Sequence, residues 1–113
     1  MNVKQIRSYA VSLPEVTEEP HFDYASFRVR GKIFVTIPPD EMHAHLFVSE
    51  LHREQALAMY PEFIEKLVWG KKVAGLCVTL SKAKTPVVND LIRQAWEHKA
   101  PKRLIATIAK ERQ

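Results

Sequence analysis

With 113 residues, 46% hydrophobic and 27% charged, the chain has the composition of one globular domain, which excludes disordered and collagen-like classes. No apolar run reaches the roughly 18–20 residues that cross a bilayer, the first residues are polar where a signal peptide needs an apolar stretch, and one cysteine excludes an internal disulfide. The formal net charge of +4 and the pI near 9.3 point toward acidic partners and away from basic ones.

Val3, Ile6, Ala10 and Leu13 recur at helical spacing and predict a short amphipathic helix closing before Pro14. The following PEVTEEPHFDYA is expected to be an acidic loop. SFRVRGKIFVTIPP, rich in β-branched and aromatic residues around Gly31, predicts a hairpin. A two-residue loop would split its apolar set. A three-residue loop, with Gly31 at positive φ, gathers Phe27, Val29, Ile33, Val35 and Ile37 on one face and leaves Arg28, Arg30, Phe34 and Thr36 on the other.

MHAHLFVS alternates as a strand, with Ala44, Leu46 and Val48 inward and His43, His45 and Phe47 outward. Ser49 caps a predicted helix over 50–60, with Leu51, Ala58 and Met59 among its apolar positions. KLVWGKKVAGLCVTL predicts two strands around a Gly-Lys-Lys turn. Thr85 as cap and Pro86 at the first helical position open a helix with the stripe Val88, Leu91, Ile92, Ala95 and Trp96. After Pro101 a last short helix is predicted, with Leu104, Ile105 and Ile108 buried. The expected fold is α+β and two-layered. It has an antiparallel five-stranded sheet with helices on one face, in the order α-β-β-β-α-β-β-α plus a short C-terminal helix, with 1–113 as one domain.

LPEVTEEPHFDYASFRVRGKIFV, followed about 70 residues later by AWEHKAPKRL, resembles the MmcQ/YjbR-like family. The resemblance rests on Leu13, Pro14, Glu15, Glu18, Phe27, Arg28, Val29, Gly31, Lys32 and Phe34. Near the end it continues in Ala95, Trp96, Ala100, Pro101, Lys102 and Arg103. It implies a "double wing" DNA-binding domain with a fold like the type III secretion chaperones. One departure is that Leu76, not tryptophan, follows Gly75, while Trp69 lies in the preceding strand.

Charge is segregated along the chain. Residues 1–65 carry 6 Lys and Arg against 10 Asp and Glu, and residues 66–113 carry 11 against 3. Basic residues fall at both predicted hairpin tips: Arg28, Arg30 and Lys32 at the first, Lys71 and Lys72 at the second. Lys82, Lys84, Lys99, Lys102 and Arg103 extend the track. Two cationic wings are suited to gripping phosphates without reading a base sequence, so DNA is the expected partner. Lys and Arg at turn tips also serve simply to keep strand edges soluble.

His43 and His45 share one strand face and need a third ligand, such as His21 or Glu41, to hold zinc or nickel. Cys77 sits in a hydrophobic strand, the setting of a structural thiol. Glu15, Glu18, Glu19 and Asp23 offer a structural partner for an arginine of the first hairpin. For Phe34 and Phe47 on the outer face three roles are open, stacking on nucleobases, pairing two subunits, or cover by the last helix, and the last is the one expected. No nucleophile–base pairing or phosphate-binding glycine loop occurs. The expectation is a cytoplasmic, non-enzymatic DNA-binding protein without cofactor or membrane contact. The alternative is a protein- or small-ligand-binding module on the open sheet face, including a homodimer.

Overall fold

The computed structural model describes the backbone of residues 1–111 and the side chains of residues 1–107. Its elements are α1 (Val3–Ser12), β1 (Val16–His21), β2 (Tyr24–Val29), β3 (Lys32–Ile37), β4 (His43–Leu46), α2 (Glu50–Met59), β5 (Ile64–Trp69), β6 (Lys72–Thr79), α3 (Thr85–Lys99) and α4 (Lys102–Glu111). The six strands form one antiparallel sheet in the order β1-β2-β3-β4-β6-β5. The α+β class and antiparallel sheet agree with expectation, with one strand more than the five expected. The acidic loop is not a loop. Residues 16–21 pair with β2 through a two-residue turn, and Pro20 is tolerated because β1 is an edge strand.

Core residues come from one sheet face and the helices. Phe27, Val29, Phe34, Val35, Ala44, Leu46, Leu76 and Val78 are fully buried, as are Ile6, Ala10, Val88, Ile92, Ala95 and Trp96 of the helices. The α3 stripe is as predicted, although Lys84 rather than Thr85 is the cap residue. In α1, Asn2 and Gln5 form a reciprocal capping box. Ser49 caps α2, with its Oγ accepting from His52 N–H at 3.3 Å. There Ala56 turns inward, whereas Leu51, Ala58 and Met59, expected on the apolar side, are exposed. In α4, Leu104 is buried and Ile105 half-buried. Ile108 lies outside the described side chains.

The first hairpin does not have the expected three-residue loop. Its loop is two residues, Arg30 (φ 50) and Gly31 (φ 82), both left-handed as a type I′ turn requires. A bulge then shifts the register. Val29 pairs with Lys32 and Arg28 with Ile33, but Phe27 pairs with Val35, leaving Phe34 as the extra residue. Phe34 therefore joins the core instead of the outer face. Ile33, expected with the apolar set, sits opposite Arg28 and is half-buried.

Candidate nucleic-acid interface

The register fixes where the wings point. Lys32 begins β3, Leu46 ends β4 beside Val35, and Leu76 of β6 pairs with Leu46, so Lys72 lies beyond the same end. Both basic turns, Arg30-Gly31 and Gly70-Lys71, thus project from one end of the sheet. Three strand spacings separate their midlines, about 14 Å, and sheet twist rotates one against the other. Gly70 (φ 63) is the first of its two loop residues, as a type II′ turn demands.

The end of α3 reaches this region too. Lys99 lines a pocket of about 230 Å³ with Ile33, Thr36, Phe47, Trp69 and His21. Lys102 and Arg103 follow in the exposed first turn of α4. Lys82 and Lys84, once part of the same track, lie after the far end of β6 and at the start of α3, so they belong to the opposite end of the molecule.

Arg28 and Arg30 are not free wing residues. Arg30 makes a bidentate pair with Glu15, Nε–Oε1 3.0 Å and Nη2–Oε2 3.1 Å. This holds the Glu15 carboxyl below its ordinary range. Arg28 folds back over the sheet, donating to Ser26 Oγ at 3.1 Å and to the Pro20 carbonyl at 3.4 Å, with Glu19 at 4.0 Å. Arg7 binds Glu18, and Arg53 meets Glu50 and Glu54. Five of the ten carboxylates of residues 1–65, Glu15, Glu18, Glu19, Glu50 and Glu54, thus lie within ion-pair distance of that segment's own arginines. Among the described residues, no ion pair involves Lys32, Lys71, Lys72, Lys99, Lys102 or Arg103. Ammonium groups left unpaired at one end keep their field.

The outer sheet face carries a transverse polar row. Glu19, Ser26, Thr36, His45, Cys77 and Glu65 are successive partners across all six strands. Ser26, Thr36 and His45 are buried within it. Burial, then neighbouring His43, lowers the His45 pKa, and burial raises that of half-buried Cys77, so the thiol is not activated. His43 pairs with Asp40 at 3.0 Å. Among the described residues no group of three or more His, Cys, Asp or Glu is placed to hold a metal ion.

Towards the wings this face turns apolar. Phe47 lies over Gly75, where an added Cβ would stand 2.5 Å from the Leu46 carbonyl oxygen and 3.2 Å from the Phe47 ring. Trp69 leans on Phe47 with ring centroids 5.4 Å apart, yet stays 54% exposed. The sequence places Phe47 on this face and Trp69 in another strand, but their contact is set by the fold alone.

The family model described as YjbR matches residues 11–98. The chain belongs to the YjbR family. A solved structure with the same architecture is the Deinococcus radiodurans protein DR2400, with a DUF419 domain. Its TM-score is 0.72 at 20% identity, over 84% of this chain and 75% of that one. No curated protein matches the chain. Within this YjbR domain the two segments that carry the resemblance meet, since Trp96 hydrogen-bonds Pro14. Among the described residues no helix is long and apolar enough to cross a membrane.

Proposed function

We propose that this YjbR-family protein binds nucleic acid through its phosphate backbone, without sequence preference and without catalysis, at the end of the sheet where the hairpin tips meet the α3–α4 corner. Lys32, Lys71, Lys72, Lys99, Lys102 and Arg103 form the contact surface. The observation that supports this most directly is the shared end of the sheet, with no carboxylate paired to any of these six among the described residues. Arg28 and Arg30 leave the expected set because Ser26, Pro20 and Glu15 occupy their donors.

Equal charge changes at the two ends test the reading. Lys71→Glu with Lys72→Glu should abolish low-salt duplex binding measured by fluorescence anisotropy. Lys82→Glu with Lys84→Glu, the same change in net charge at the far end, should leave most of it. Equal loss in both variants would reduce the effect to overall charge.

A second reading, a protein-binding module, moves from the middle of the open face to its far end. There Phe22, 90% exposed at φ 59, tops the β1–β2 turn beside Glu18, Glu19 and Asp23. Sedimentation that detects a dimer abolished by Phe22→Ser favours it, and a monomer throughout counts against a homodimer.

A further inference from the structure

We infer that the basic end takes single-stranded nucleic acid in preference to duplex, with one unstacked base packing against Trp69 beside the Phe47 pocket. This rests on the nucleic-acid reading above and narrows its substrate class. Trp69 is the last residue of β5, next to the Gly70-Lys71 turn and paired with Lys72. Its indole is 54% exposed, although a large aromatic ring gains most from burial. One side of it is backed by Phe47, which is itself buried.

The pocket beside the pair, about 230 Å³, has an apolar wall from Ile33, Phe47 and Trp69, a hydroxyl from Thr36 and an ammonium from Lys99. That is room for one flat heteroaromatic ring. Lysines on both sides can neutralise the phosphates that flank such a base. A base inside a duplex has both faces covered by its neighbours and cannot offer one to Trp69. A single strand can, and aromatic platforms within a cationic track are the general means of holding it. Gly75 keeps the arrangement possible, since any side chain there would displace Phe47.

The chain's two tryptophans make the test direct. Trp96 is fully buried, so quenching of intrinsic fluorescence by a bound strand reports Trp69. Titration with oligothymidylate and with a duplex of equal length should show tighter single-strand binding, with quenching by the single strand only. Trp69→Ala should weaken single-strand binding about 5- to 100-fold and leave duplex binding as it was. Trp69→Phe should retain most of the affinity, which separates loss of a stacking face from loss of fold. Equal affinity for both forms, no quenching and an indifferent Trp69→Ala would overturn the stacking inference while leaving the cationic end standing. Absence of binding to either form at low salt would overturn both.

Discussion

The indole Nε1–H of Trp96 donates to the Pro14 carbonyl at 3.1 Å, joining positions 82 residues apart. Trp96 is fully buried, so its N–H needs this acceptor. Pro14 lies between α1 and β1, next to the Glu15 that ties down Arg30. One hydrogen bond thereby fixes the end of α3 near the first hairpin's tip and helps bring Lys99 to the wing end. Trp96→Phe keeps most of the packing but removes the donor. We expect a loss of about 1–3 kcal/mol, read as a lower urea midpoint with an unchanged m-value.

Gly75 has an ordinary backbone conformation, so its requirement is space alone. The carbonyl of Leu46 cannot yield to a Cβ at 2.5 Å without moving β4 against β6. Gly75→Ala should cost about 2–3 kcal/mol and alter Trp69 emission, because Phe47 must shift. A variant as stable as the parent would show that the strands adjust freely.

Arg30 adopts a left-handed conformation that favours Asn or Gly. Arg30→Asn gives the first turn an Asn-Gly pair and should raise the Tm by about 2–4 °C. Removing Arg30 leaves the Glu15 carboxylate uncompensated beside the wing, so this substitution should lower DNA affinity modestly. Glu15→Gln does the opposite, releasing Arg30 to phosphate. It should tighten binding and steepen the salt dependence by about one contact.

His45 contributes to the pH dependence, together with His98, whose pKa burial also lowers. Burial, reinforced by His43, holds the folded pKa of His45 below the ordinary 6.5, with Asp40 opposing weakly. Between the folded pKa and 6.5 the unfolded chain binds more protons, so stability is full above that window and falls as pH drops through it. The slope is bounded at about 1.4 kcal/mol per pH unit for one proton. His45→Asn should flatten the decline in urea midpoint between pH 7.5 and 5.5, roughly the range where histidine titrates.

Regular periodicity made much of the fold legible. The α3 stripe and the β5–β6 hairpin follow directly from residue spacing. β1 was not, because Glu18, Glu19 and Pro20 have low strand propensity, and only pairing with β2 makes them a strand. The Phe34 bulge was also hidden. Hydrophobic alternation requires that the faces align, but a longer loop and a bulge satisfy it equally well. At the candidate site, the lysines were visible as charge in sequence. The pairing of Arg30 with Glu15 and the meeting of Phe47 with Trp69 depend on tertiary placement across 15 and 22 positions, which no local pattern encodes.

The salt dependence of duplex binding tests the cationic end most directly. Six cationic contacts, from Lys32, Lys71, Lys72, Lys99, Lys102 and Arg103, predict a slope of log affinity on log salt of about −5.4. In the variant with Lys32, Lys71, Lys72 and Lys99 changed to Gln, binding at low salt should weaken strongly and the slope fall to about −1.8. A four-site variant that binds with the parent's affinity and slope would contradict the account.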